Sequence, residues 1–210
     1  MMIWDWDNKN AIYNYFIGKR ETIYARVCEI KLINESESKK FIENYHFQGY
    51  AKANITYGLY YNNELISIMS FDKPRYNKNY QWEIIRYCSS KNVIGGAEKL
   101  FNHFIKDYNP SSIVSYCDLS KFSGRTYKKL GFVPIRVNVP SLHWYNLKDK
   151  RHFTDNLIRS RGVSRIVNHC EPSEDIIAIK ANTNDNYKLM LLNGFLPIYD
   201  CGQQTWGWKK

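Results

Sequence analysis

The chain of 210 residues, 44% hydrophobic and 16% aromatic, has the length of one domain, or one domain with an appendage, and enough apolar content to bury a core, which excludes a disordered protein. Its net charge of +10 is unevenly placed, with +2 in residues 1–80, +5 in residues 81–146 and +3 in residues 147–210. No apolar run approaches the ~20 residues of a membrane span, and Met1-Met-Ile-Trp-Asp-Trp-Asp-Asn8 has neither a basic nor an apolar leader segment, so the expectation is a soluble, cytoplasmic protein.

In chain order, residues 3–20 read as a short aromatic helix or arm and residues 22–32 as the first long strand. Residues 35–45 place Phe41, Ile42 and Tyr45 on one helical face, with acidic residues in the first turn. Residues 53–61 and 64–72 read as strands joined by Asn62-Asn63, a pair that tolerates the left-handed angles of a two-residue hairpin. A polar loop at 76–80 leads into Trp82-Glu-Ile-Ile-Arg-Tyr-Cys88, which is β-rich and free of Gly and Pro. After the turn Asn92-Val-Ile-Gly95-Gly96-Ala97, the residues Leu100, Phe101, Phe104, Ile105 and Tyr108 fall at helical spacing. Residues 112–117 form another strand, residues 127–130 end a short helix at Gly131, and residues 133–144 supply one or two strands interrupted by Pro134 and Pro140.

Gly131-Phe-Val-Pro-Ile135 recurs as Gly194-Phe-Leu-Pro-Ile198, each time after a basic, Leu-containing helical segment. Two copies are too few for a solenoid. The echo implies that residues 147–210 are folded, with a basic helical part and a final strand or hairpin. Cys28, Cys88, Cys117, Cys170 and Cys201 are widely spaced and lack metal-ligand spacing, so they are expected to be reduced, buried thiols, and no metal site is predicted.

Gly95 and Gly96 sit where a strand passes into a helix. Such an entry leaves backbone N–H groups unpaired and aimed at one point, to which the helix dipole adds positive charge. A tight turn is the plain reading of a Gly-Gly pair; a diphosphate cradle is the functional one. The order of the pieces resembles the GNAT superfamily of acyl-CoA N-acyltransferases, whose loop has the form Q/R-x-x-G-x-G/A and whose following helix often ends in Tyr-x-Lys-x-Gly-Phe. Here the loop reads Asn92-x-x-Gly95-x-Ala97, with Asn in the place of Gln or Arg, and the helix ends in Tyr127-Lys-Lys-Leu-Gly131-Phe132. A narrower likeness spans Ile23–Lys31, Tyr45–Gly49, Gly58–Ile66, Phe71–Arg75, Trp82–Arg86 and Ile198–Gly202. These segments look like a phage-encoded GNAT-like group sometimes found beside homing endonucleases, with the Mom DNA-modification proteins as distant relatives.

The resemblance implies an α/β (α+β) fold with a central mixed, mostly antiparallel sheet flanked by helices. It places a GNAT-like domain at residues 1–146 and a basic C-terminal extension at 147–210. It further implies acetyl-CoA or another acyl-CoA as cofactor, held at Asn92, Val93, Ile94, Gly95, Gly96 and Ala97. Tyr127 occupies the position of the acid that reprotonates the departing thiolate; packing on the helix face is its plain alternative. Three residues compete as base: Glu83 on the strand before the loop, Asp118 at the end of the next strand, and His46, whose unperturbed pKa lies in the physiological range, with His46 and Asp118 favoured over Glu83.

Lys121, Arg125, Lys128 and Lys129 form one basic cluster, and Lys148, Lys150, Arg151, Arg159, Arg161 and Arg165 a second. Such clustering fits DNA or RNA, and equally a solvated face around a cofactor site. Three functions stand open: acyl transfer to a nucleic acid or a nucleic-acid-associated amine, a GNAT-fold DNA-binding module without catalysis, and acetylation of a host defence or toxin protein.

Overall fold

A computed structural model describes residues 20–148, 150–163 and 185–210. Of the expected arm at 3–20, residues 3–19 lie outside the described residues, as do Arg165 and Cys170. The described chain divides into two compact units that alternate along the sequence. The first comprises residues 20–117, 122–136 and 204–210, and the second 118–121, 137–148, 150–163 and 185–203.

The elements run in the order β1 (Thr22–Tyr24), β2 (Glu29–Leu32), α1 (Glu35–Tyr45), β3 (Ile55–Tyr61), β4 (Glu64–Asp72), β5 (Trp82–Ser89) and β6 (Asn92–Ile94). There follow α2 (Gly96–Tyr108), β7 (Ser112–Asp118), α3 (Arg125–Lys129), β8 (Val133–Asn138), β9 (Leu142–Asn146), β10 (His152–Thr154), α4 (Asp155–Arg161), α5 (Asn186–Leu192), β11 (Phe195–Tyr199) and β12 (Gln203–Lys209). Seven strands form one mixed sheet in the order β2-β3-β4-β5-β7-β12-β8. The run from β2 to β5 is antiparallel, and β5 pairs in parallel with β7. This is the expected mixed α/β class with a mostly antiparallel sheet.

The sequence signals explain most of these boundaries. Asn34 caps α1 by accepting the Glu37 N–H at 2.9 Å, and Asn62 and Asn63 turn the β3–β4 hairpin at φ 49° and 62°. The apolar stripe of α2 puts Leu100, Phe101 and Phe104 against Leu59, Phe71 and Trp82 on one face of the sheet. Phe104 stacks on Phe71 with centroids 3.7 Å apart. On the other face Phe41 and Ile42 of α1 meet Ile33, Ile68 and Cys88. Each such fully buried aliphatic or aromatic side chain stabilises the fold by about 1.5–3 kcal/mol.

The single long strand expected over 22–32 is broken. A 3₁₀ turn at Ala25–Val27 separates β1 from β2, because Lys99 Nζ donates to the Ala25 and Cys28 carbonyls at 2.9 and 2.5 Å and holds the chain in a bend. β1 instead pairs in parallel with β6, a strand formed by residues that read as turn.

In the second unit β9 lies between β10 and β11, antiparallel to both. Trp144, Ile158, Val163, Met190 and Phe195 form its core, and Trp144 Nε1 donates to Asp155 Oδ1 at 3.2 Å. No helix among the described residues is long and apolar enough to cross a membrane. Cys28, Cys88 and Cys117 are buried free thiols, whereas Cys201 is exposed, against the expectation of burial, because it lies beyond the end of β11.

Candidate active site

Gly95 is the N-cap of α2 with φ +77°, an angle that disfavours any side chain. Gly96 follows because a Cβ there would come within 2.9 Å of Val93 Cγ1. The Lys99 N–H donates to the Gly95 carbonyl at 3.0 Å, so the N–H groups of Gly96, Ala97 and Glu98 are left without intrahelical acceptors, as at any helix start. The first half of the loop is engaged elsewhere. Asn92 N–H donates to Glu21 O at 2.9 Å, its Nδ2 donates to Thr22 Oγ1 at 3.1 Å, and Val93 and Ile94 pair with Ile23 and Tyr24. Anion-binding capacity therefore narrows to the first turn of α2, which also contains the acidic Glu98.

The parallel pair β5–β7 opens into a fork. Only Trp82 with Ile113 and Glu83 with Val114 stay in register, after which the strands part. At the crotch, Ser115 Oγ reaches the Ile84 carbonyl at 3.1 Å and the Tyr127 hydroxyl at 2.9 Å. β5 also bulges here. Ser70 pairs with Arg86 and Phe71 with Ile84, leaving Ile85 as the extra residue, a distortion common beside active sites.

Tyr127 sits on α3, which ends in the expected way: Gly131 at φ +81° donates to the Lys128 carbonyl, and Phe132 N–H to the Tyr127 carbonyl. Its ring lies 6.0 Å from that of Trp206, whose buried indole N–H has no hydrogen-bond partner among the described residues. Burial pushes the phenol up to about 12, against the Ser115 hydrogen bond, which lowers it. The hydroxyl is therefore protonated throughout the physiological range.

Glu83, 5% exposed, is the last paired residue of β5 before the fork. Burial raises its pKa, opposed by the Arg75 N–H, which donates to Oε2 at 2.7 Å, and by the charges of Arg75, Lys78 and Arg86. His46 caps the C-terminus of α1, and its Nδ1 accepts the Gln48 N–H at 3.1 Å. Burial and the Arg86 charge lower its pKa to about 3, so the ring is neutral with one nitrogen lone pair already engaged. Burial alone would raise the Asp118 pKa, but hydrogen bonds from Lys121 and Ser120 prevail and lower it. Its Oδ2 accepts Lys121 Nζ at 2.6 Å, and its Oδ1 accepts Ser120 N–H and Oγ–H at 2.9 and 2.5 Å. Of the three base candidates, Glu83 has the raised pKa at the fork.

The basic residues separate by partner. Lys121 is withdrawn from solvent, with a side chain 6% exposed and paired to Asp118. Arg125, Lys128 and Lys129 are exposed on α3, and Lys148 and Lys150 are exposed in the second unit. Arg151 is half-buried, and Arg159 Nε bonds Asp155 Oδ2 at 2.6 Å. Arg161 ends α4, and nothing of its side chain is described. Sequence reasoning left Ser115, Arg75 and Arg86 without a role. For Ser115 the only signal was a polar residue inside an apolar strand.

No protein-family profile matches this chain, and no curated protein does. Among solved structures it is similar to an IAA acetyltransferase from Bacillus cereus at 13% identity, covering 87% of this chain and 99% of that one with a TM-score of 0.45. It is also similar to the ribosomal-protein-S18-alanine N-acetyltransferase from Escherichia coli at 11% identity, covering 60% of this chain and 88% of that one with a TM-score of 0.43. A GNAT family acetyltransferase from Elizabethkingia anophelis, with acetyl-CoA bound, is similar at 16% identity over 88% of this chain and 99% of that one, with a TM-score of 0.41. At these scores no residue role passes from them to this chain.

Proposed function

We propose that this chain is an acyl-CoA-dependent N-acyltransferase of the GNAT type, acting on an amine of a nucleic acid or of a nucleic-acid-associated molecule. One observation carries the reading: two parallel strands part after two residues, with a protonated phenol at the crotch and a buried carboxylate of raised pKa at the last paired position. The loop and Tyr127 motifs described above support the choice of cofactor.

An acyl-CoA supplies a thioester activated toward attack by an amine. The N–H groups of Gly96, Ala97 and Glu98 are those that would hold its diphosphate. With the Asn92 amide turned to Thr22, that cradle is made of backbone alone. Glu83, more basic than an ordinary carboxylate, takes the proton that the acceptor amine loses as it attacks the thioester. Tyr127 holds at its hydroxyl the proton required by the leaving sulfur, and a Ser115 hydroxyl turned from Ile84 toward Tyr127 would stabilise the phenolate left behind. Exposed Arg125, Lys128 and Lys129 on the helix that carries Tyr127 support a polyanionic acceptor.

Titration calorimetry with acetyl-CoA tests the reading. The wild type binds, and Gly95→Val, which forces a β-branched residue into φ +77°, loses binding while keeping its melting transition. Absence of binding to the wild type would remove the basis for acyl transfer. Glu98 in the first turn and the engagement of Asn92 favour a second reading, a GNAT-fold binding module without catalysis, and that outcome would leave it standing. For a nucleic-acid acceptor, log K falls with log[salt] by roughly 0.9 per duplex phosphate neutralised, and replacing Arg125, Lys128 and Lys129 by Gln flattens the slope. No binding at ~50 mM salt would leave a protein or small amine as acceptor.

A further inference from the structure

Near Glu83 stand two arginines, Arg86 on β5 and Arg75 in the loop after β4, that no carboxylate among the described residues pairs. Arg86, half-buried on β5, donates from Nε to the Gly49 carbonyl at 3.1 Å and from Nη1 to the Ile85 carbonyl at 2.9 Å. Carbonyls orient a guanidinium without neutralising it, and the Nη2 edge has no hydrogen-bond partner among the described residues. Arg75 lies close enough for its charge to lower the Arg86 pKa, second only to burial, and its own Nη2 donates to the Lys52 carbonyl at 2.5 Å.

The Glu83 charge acts on Arg86, yet Glu83 Oε2 holds a backbone N–H of Arg75 instead of either guanidinium. No ion pair among the described residues includes Arg75 or Arg86. Lys78, bonded through Nζ to the Pro74 carbonyl, adds positive charge near Glu83, and His46 contributes none because its ring is neutral. A half-buried cation of this kind is stable when an anion completes it. Arg86 lies on β5 three residues beyond Glu83 and two beyond Ile84, whose carbonyl Ser115 reaches while it bonds the Tyr127 hydroxyl, so the anion belongs beside the reacting groups and not at the start of α2.

We propose that Arg86, assisted by Arg75, is an anion-recognition subsite for the acceptor, which is an amine bearing a carboxylate or phosphate group, its amino group at Glu83 and its anion on the guanidinium fork. A planar fork meets either group through two parallel hydrogen bonds, which a lysine or a carbonyl-lined pocket does not reproduce. The inference rests on the acyl-transfer reading, and its failure is separable from the failure of that reading.

Matched amines that differ only in the anion provide the test: O-phosphoethanolamine against ethanolamine, glycine against glycinamide, and cytidine 5′-monophosphate against cytidine, with thiol release from acetyl-CoA as the signal. The anionic member of at least one pair is favoured by about tenfold or more in kcat/KM, the size of one hydrogen-bonded ion contact, and in R86Q that ratio falls to about one. R75Q, at an exposed position less able to disturb folding, lowers the ratio part of the way. Calorimetry shows R86Q still binding acetyl-CoA, which certifies the fold. A wild type that binds acetyl-CoA yet prefers no anionic member overturns the subsite and leaves acyl transfer intact. Tighter, Arg86-dependent binding of succinyl-CoA than of acetyl-CoA places the anion on the acyl chain and overturns the assignment to the acceptor. If acetyl-CoA does not bind at all, direct titration with O-phosphoethanolamine decides: heat that disappears in R86Q supports the subsite, and no heat with the wild type overturns it.

Discussion

The helix–glycine–strand passage occurs twice, once in each compact unit, and the two copies differ in what they present. In both, a glycine at φ +81° or +76° ends a helix, its N–H returning to the Lys128 or Leu191 carbonyl, and the next residue is a buried Phe, Phe132 or Phe195. Four residues before the glycine stands Tyr127 in one copy and Met190 in the other. Tyr127 carries a hydroxyl to Ser115 at the fork, while Met190 is wholly buried against Trp144, Ile158 and Phe195. A chain reversal set by one glycine can thus present a hydroxyl at a fork or an apolar side chain to a core, and the side chain one turn earlier decides which.

Exchanging the decisive atoms should separate the two. Tyr127→Phe removes only the hydroxyl, so turnover falls by about 10²–10³-fold while acetyl-CoA affinity and the melting temperature stay close to wild type, because the proton is needed only as charge develops on the leaving group. Steady-state kinetics beside calorimetry check this, and unchanged turnover would remove Tyr127 from the reaction. Met190→Ala opens a cavity in a small core and lowers stability by about 2–5 kcal/mol in denaturant titration; a loss below about 1 kcal/mol would mean that the site collapses around the smaller side chain.

The smallest effect concerns the cost of keeping polar groups at the fork. Glu83 has a raised native pKa, so the unfolded chain ionises first as pH rises, and stability is lost between the ordinary glutamate value and the raised one. Glu83→Gln keeps an acceptor for the Arg75 N–H and cannot ionise. It melts higher than wild type above that window and equally near pH ~3, where Glu83 is neutral in both the folded and the unfolded chain. A variant less stable than wild type at neutral pH would show that the charges of Arg75, Lys78 and Arg86 outweigh burial at this site.

What the sequence made legible is local. The Asn62-Asn63 hairpin, the Asn34-capped helix, the apolar stripe of α2 and the glycine at the end of α3 each depend on residues within a turn or two of one another. Residues 22–32 misled because their bend is imposed by Lys99, more than seventy positions away. The same distance hid the pairing of β6 with β1, which engages half of the loop that the motif assigned to phosphate. Tyr127 was visible because a motif marks it, whereas Ser115, which orients its hydroxyl, belongs to no motif. Lys121 shows the limit of charge counting: a run of cations gives the sign of a surface and says nothing of a carboxylate three residues upstream that removes one of them.

The bridge from Lys99 to the Ala25 and Cys28 carbonyls also sets the order in which the molecule can assemble. The turn of α2 can form early, since its contacts are local, but its fixed position beside β1 waits for the closure of a loop of 74 residues to Ala25. Ligand competence should therefore lag behind helix formation during refolding, appearing only with this late long-range contact, and a chain halted before that step would hold a formed helix with an unanchored entrance.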